Sequence, residues 1–186
     1  MAPPSARIKI VDAALTLVRL NGASRLTLDE AAKAAGLSKG GVLYHFKTKD
    51  DLIRAMLQRL IDQCDELHLH HYENEAPGPY RWARTVVKTA FDPCGPVNDP
   101  INSALLAVIA SDLNLITPLK EAYAKWNERL LSDSPDPWRA TLICMAMDGY
   151  LFERILNLIP ADDPSLDQIR QRALDLLKDD QGGSQS

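Results

Sequence analysis

Between Thr27 and Leu52 the chain reads TLDEAAKAAGLSKGGVLYHFKTKDDL, and its cap and stop signals leave little freedom in how this stretch can fold. Thr27 is followed three residues on by Glu30, the spacing of a reciprocal capping box, which predicts a helix over Leu28–Ala35. Gly36 tolerates the left-handed backbone that ends a helix. Leu37 packs the turn, and Ser38 caps a third helix from Lys39 to about Phe46. Thr48 and Asp51 repeat the capping-box spacing, so a further helix starts at Lys49. Two short helices around a tight glycine turn form a helix-turn-helix unit. Ala31, Ala32 and Ala35 are small enough to let those helices approach closely.

The rest of the chain is also helical in pattern. In IKIVDAALTLVRLNG, apolar residues recur at three- and four-residue steps (Ile8, Val11, Leu15, Val18) until Asn21-Gly22 stops the first helix. The fourth helix is predicted from Lys49 to about Tyr72, with Pro77-Gly78-Pro79 breaking the chain after it. Five further helices are expected near 80–90, 101–111, 115–131, 138–158 and 165–178. They are separated by the proline-bounded loop PCGPVNDP, an interruption at Asp112–Asn114, the break DSPDP, and the Pro160–Pro164 loop. Met1–Ser5 and the tail DDQGGSQS are expected to be disordered. No alternating strand pattern, repeat or heptad is present. The expectation is an all-α chain of about nine helices: a three-helix DNA-binding domain over 6–50 and a helical regulatory and dimerisation domain over 51–180.

The formal charge of -4 and pI near 5.5 argue against a nucleic-acid partner if read as averages. The charge is divided, however. Residues 1–50 hold eight Lys/Arg against four Asp/Glu, a balance of +4, and the remainder carries -8. A basic module on an acidic body fits better. Cys64, Cys94 and Cys144 form no CxxC pair, which fits a reducing compartment. His68, His70 and His71 read as solvated or capping residues near a helix end. A zinc or nickel site with Cys64 would lack an evident fourth ligand. No signal peptide or apolar run of membrane-spanning length is visible, so the expected location is the cytoplasm, with no membrane partner and no cofactor.

An exposed helix can enter the major groove and present side chains to base edges and phosphates. In the third helix Val42, Leu43 and Phe46 anchor to the core, while Lys39, Tyr44, His45 and Lys47 supply exposed donors. Gly40 and Gly41 weaken a helix, and close approach of backbone to DNA would account for them. Lys49 and the amides opening the fourth helix can meet a phosphate. Thr27 and Ser38 serve as caps and as backbone contacts. For Tyr44 the competing reading is packing between helices; for His45, Lys47 and Lys49 it is an ordinary solvated surface.

The stretch Ile8–Leu52 resembles the N-terminal domain of the TetR family of bacterial transcriptional regulators. IVDAALTLVRLNG and TLDEAAKAAGLSKGGVLYHFKTKDDL carry the resemblance, and the SKGG…YHF segment is its most specific part. Ala31 departs from the larger aliphatic residue common there. The resemblance implies DNA contact by Thr27, Lys39, Gly40, Gly41, Tyr44, His45 and Lys49. It also implies a homodimer formed through helices eight and nine, with a pocket for a small effector in the helical body.

The body offers no catalytic constellation, so an enzyme is not expected. Met56, Leu60, Cys64, Trp82, Val86, Leu105, Ile109, Tyr123, Trp126 and Cys144 are candidates to line an apolar cavity, each also readable as ordinary core. Such a cavity suits a hydrophobic or amphipathic molecule. Asp148 interrupts an apolar helix and reads either as a partner for an effector amine or as acceptor of an inter-helix hydrogen bond. Candidate dimer contacts are Leu142, Met145, Phe152, Ile155 and Leu156 on helix eight, with Leu166, Ile169, Ala173 and Leu176 on helix nine. The resulting expectation is a ligand-responsive repressor that binds a pseudo-palindromic operator in double-stranded DNA as a homodimer. An activator or metabolite sensor of the same family is the alternative, ahead of an all-helical enzyme or scaffold.

Overall fold

A computed structural model describes residues 5–95, 99, 101–160 and 162–178. The expected disordered segments at residues 1–4 and 179–186, and half of the PCGPVNDP loop, lie outside the described residues. The described chain holds nine α-helices: α1 (Ala6–Asn21), α2 (Leu28–Ala35), α3 (Lys39–His45), α4 (Lys49–Asn74), α5 (Arg81–Ala90), α6 (Ile101–Ser111), α7 (Thr117–Asp133), α8 (Pro137–Ile155) and α9 (Ser165–Asp175). Two short 3-10 turns, Ala23–Arg25 and Leu113–Ile116, stand before α2 and α7. Ser5 belongs with α1 rather than with a disordered leader, since its hydroxyl accepts from the Ile8 amide at 3.4 Å.

Two compact units divide the chain: Met1–Gln63 with Asp99–Ala122, and Cys64–Asn98 with Tyr123–Ser186. Neither follows the 50/51 boundary suggested by the motifs, because α4 and α7 are unbroken helices that each contribute residues to both units.

The first unit packs Ile10, Leu15 and Val18 of α1 around Val42 and Phe46, with Leu52 and Met56 of α4 and Ile101 and Leu105 of α6 in the same core. Burying side chains of this size stabilises the fold by about 1.5–3 kcal/mol each. Ala31 is fully buried there and Ala35 nearly so, which lets α2 lie close to α1. Asp99 accepts three guanidinium hydrogen bonds from Arg19, at 2.6, 2.9 and 3.0 Å, and another from the Ile101 amide at 3.0 Å. One carboxylate thereby fixes the entry to α6 and ties it to α1.

The second unit has its own core, in which Trp82, Ala83 and Val87 of α5 meet Ala140 and Met147 of α8 and Leu177 after α9. Phe91 stacks on Tyr150 with centroids 4.4 Å apart. Glu75 is buried and holds Arg84 at 2.9 Å and Lys88 at 2.5 Å, joining the end of α4 to α5. The Arg84 and Lys88 cations keep its carboxyl below the usual range despite the opposing effect of burial.

Candidate nucleic-acid interface and ligand cavity

The turn between α2 and α3 is built as its sequence dictates. Thr27 Oγ1 accepts from the Glu30 amide at 3.1 Å, and Gly36 adopts the left-handed conformation with φ 65°. Ser38 Oγ accepts from the Gly41 amide at 3.1 Å and so starts α3. Thr48 and Asp51 exchange side-chain-to-amide hydrogen bonds at 3.0 and 3.1 Å, a closed capping box. Val42 and Phe46 are buried, Leu43 is half-buried, and the opposite side of α3 faces solvent.

That outer side carries the DNA-contact candidates. Tyr44 is 78% exposed, too open to be a packing residue of this chain, and its ring meets the His45 ring edge-on at 5.0 Å. Thr27, Ser38, Lys39, Gly40, Lys47 and Lys49 are exposed, and Gly41 and His45 are half-buried. Lys39 is bound to Asp29 of α2 at 3.0 Å, so its ammonium is held near the α2 N-terminus. Lys47 and Lys49 make no ion pair among the described residues. A side chain at Gly40 would meet nothing nearer than Ser38 Oγ at 4.0 Å, and one at Gly41 would meet the same atom at 3.4 Å. Packing within this chain therefore does not require glycine at either position.

Within the second unit lies a cavity that opens to solvent. Cys64 and His68 of α4, Trp82 and Val86 of α5, Tyr123 and Trp126 of α7, and Cys144 and Asp148 of α8 line it. Seven of the eleven cavity candidates thus come together. Met56, Leu60, Leu105 and Ile109 do not: they pack in the core of the first unit. Their apolar spacing on α4 and α6 matched a cavity wall, but a helix core has the same spacing.

His68 departs from the expectation of a solvated or capping residue. It is neither solvated nor a cap but buried, with its ring between Trp82 at 5.1 Å and Trp126 at 5.3 Å. Its position one turn after Cys64 was the available signal. Burial, reinforced by the nearby His71 and Arg129 and only partly opposed by Asp65, lowers its pKa to about 4. It is neutral at pH 7. Burial raises the Cys64 and Cys144 thiols to about 12, so neither is a ready nucleophile. His71 instead pairs with Asp92 at 2.8 Å. Among the described residues no group of three or more His, Cys, Asp or Glu is placed to hold a metal ion.

Asp148 stands at the cavity rim. It accepts an inter-helix hydrogen bond, one of the two roles its sequence position left open, from the Tyr123 hydroxyl at 2.9 Å. Loss of hydration raises its pKa, and the Tyr123 bond offsets part of that shift. Apart from the Asp148 carboxylate, the lining has no fixed charge, and its thiols are protonated and its imidazole neutral, a surface for binding.

Outside the cavity, α8 exposes an apolar stripe. Leu142 is 69% exposed and Met145 64%, with Phe152 and Leu156 continuing the row and Ile169 and Leu176 exposed on α9. Trp138, absent from the candidates, extends it one turn earlier and is 75% exposed. Ile155 and Leu166 are half-buried, and Ala173 is buried in the unit's own core.

Residues 80–178 match the family model described as "Tetracyclin repressor-like, C-terminal domain", and residues 10–56 match "Bacterial regulatory proteins, tetR family". The chain belongs to the TetR family of helix-turn-helix transcriptional regulators. Its similarity to curated members is concentrated in part of the chain. The regulator AcrR of Shigella flexneri is 39% identical over 72 residues, which cover 39% of this chain and 33% of AcrR. TtgR of Pseudomonas putida is 34% identical over 86 residues, 46% of this chain and 41% of TtgR. The matched stretches thus span about a third and two fifths of these relatives. Among solved structures, the TetR fold is shared with the putative regulator SCO7518 of Streptomyces coelicolor, with a TM-score of 0.74 at 19% identity over 95% of this chain and all of the other. The multidrug binding protein EbrR, solved with ethidium, has a TM-score of 0.70 at 22% identity over 94% and 99% of the two chains. Among the described residues no helix is long and apolar enough to cross a membrane.

Proposed function

We propose that this chain is a ligand-responsive repressor that binds a pseudo-palindromic operator as a homodimer and is released by a small hydrophobic or amphipathic effector. The observation that carries this reading is the placement of α4. It begins four residues after α3 ends, locked by the Thr48–Asp51 box, and farther along it supplies Cys64 and His68 to the cavity. One uninterrupted helix thus serves both the DNA-reading turn and the ligand site. Effector binding that favours a different position of α4 would reposition the recognition helix, provided the two states differ in effector affinity.

Tyr44, His45, Lys47 and Lys49 supply the exposed contacts to bases and phosphates, and Gly40 and Gly41 allow the backbone to approach the duplex. The apolar stripe on α8 and α9 supports dimerisation. Gly149 lies in the middle of this stripe and is exposed. An added side chain there would meet nothing within 4 Å. A mid-helix glycine costs about 1 kcal/mol relative to alanine, and close approach of a partner helix gives it a use. A two-fold dimer would present paired recognition helices to half-sites one or more turns apart. The aromatic cavity walls suit a planar organic effector; EbrR, alike in fold, is described in complexes with ethidium and with malachite green.

An electrophoretic shift with genomic fragments, run with and without candidate effectors, tests the reading. Retention of one fragment against excess competitor DNA, and its release by a small molecule, is the expected result. Binding without sequence preference that vanishes at modest salt contradicts it.

A further inference from the structure

The cavity rim has an unbalanced charge. The rings of Tyr123 and Trp126 lie 5.3 Å apart on α7. Each gives its polar hydrogen to a carboxylate, Tyr123 to Asp148 at 2.9 Å and Trp126 Nε1 to Asp65 at 2.7 Å. Among the described residues neither carboxylate has a lysine or arginine partner. The basic group near Asp65 is His68 Nδ1 at 3.9 Å, which is uncharged at neutral pH for the reasons given above.

Arg129, a fixed cation near His68, is already engaged elsewhere. Its guanidinium sits over the Trp82 ring at 4.0 Å and the Tyr72 ring at 4.1 Å. Trp82 and Tyr72 therefore already hold a cation, whereas among the described residues no arginine or lysine covers Tyr123 or Trp126. Donating a hydrogen bond to a carboxylate also makes each of these rings more electron-rich. Val86, Leu130 and Leu151 continue the wall inward without charge.

We propose that the cavity selects an organic cation, an ammonium or related group attached to an apolar or aromatic body, with its charge between the Asp148 carboxylate and the faces of Tyr123 and Trp126 and its body against the apolar wall. This rests on the reading of the cavity as the effector site and adds the charge of the ligand to it. A cation gains from the rings and from the carboxylate in addition. A neutral molecule of the same shape gains neither, and an anion is repelled.

Two probes of equal shape separate charge from size: 3-hydroxyphenyltrimethylammonium and 3-tert-butylphenol, which differ in one nitrogen against carbon. Their affinities for the full chain are measured by isothermal titration calorimetry. The ammonium is expected to bind about tenfold tighter or better. Asp148→Asn is expected to remove about tenfold from the ammonium and to leave the phenol within about twofold. Asp148→Glu, which keeps the charge, should restore part of the loss, and thermal melts confirm that each variant folds. Equal or tighter binding of the phenol, binding of neither probe, or an equal effect of Asp148→Asn on both overturns the proposal. Release of operator DNA is measured separately. An ammonium that binds through Asp148 but leaves the DNA complex intact upholds the charge selection and defeats the effector reading. A phenol that binds tighter and releases DNA does the reverse.

Discussion

The Tyr123 hydroxyl and the Asp148 carboxylate meet at 2.9 Å and join α7 to α8 at the cavity rim. Lost hydration raises the Asp148 pKa, and the bond to Tyr123 offsets part of that rise. Tyr123→Phe should therefore destabilise the protein by about 0.5–1.5 kcal/mol at pH 7, as for a hydrogen bond of ordinary strength. The loss should shrink in acid as Asp148 takes up a proton. Urea denaturation at pH 7 and pH 4 checks this; an equal loss at both would mean that the hydrogen bond to the charged carboxylate is not its source.

His68 predicts an acid-sensitive fold. Its pKa falls from 6.5 to about 4 on folding. Between those values the unfolded chain binds a proton that the folded chain does not, so stability is complete above pH 6.5 and falls as pH drops toward 4. The shift corresponds to a loss on the order of 3 kcal/mol. His68→Leu should flatten this part of the stability–pH curve. A wild-type curve already flat between pH 6.5 and 4 would contradict the buried neutral imidazole.

Legibility followed how local the physics was. The Thr27, Ser38 and Thr48 caps and Gly36 are decided within four residues, and α2 and α3 form where these signals place them. The cavity depends on which face of a long helix meets which neighbour. Periodicity on α4 marks Met56 and Cys64 alike as inward, yet one packs in the core of the first unit and the other lines the cavity of the second. His68 was obscured by its polar type: its burial depends on Trp82 and Trp126, 14 and 58 residues away. The short turn Ala23–Arg25 had no signal beyond Asn21-Gly22, because a single 3-10 turn has too few residues to show a period.

Gly40 separates folding from recognition. An added side chain there would meet only Ser38 Oγ, at an ordinary contact distance of 4.0 Å. Gly40→Ala should raise stability by about 0.4–1 kcal/mol through helix propensity and a smaller unfolded-state entropy. The same change should weaken DNA binding about tenfold if backbone and duplex come into contact there. Paired melting and anisotropy measurements give the two signs. A stabilised variant with unchanged DNA affinity would remove the close-approach role.

The α8 stripe predicts the oligomer. Leu142→Arg places a charge on a position that is 69% exposed and contributes little to the subunit core. The variant should keep its helicity but become monomeric in sedimentation at micromolar concentration, since an unpaired charge buried in an interface is strongly unfavourable. A Leu142→Arg dimer as tight as wild type would place the interface elsewhere.

Specific reading of DNA by α3 is tested most directly by fluorescence anisotropy on a genomically selected fragment. Wild type should bind that fragment at least about 10³-fold tighter than a shuffled duplex at physiological salt. Tyr44→Ala, at a side chain 78% exposed and unnecessary to the core, should lower specific affinity by about tenfold or more and leave dimerisation unchanged. Equal affinity for selected and shuffled DNA, or a Tyr44→Ala variant as specific as wild type, would contradict the assignment of α3 as the reading element.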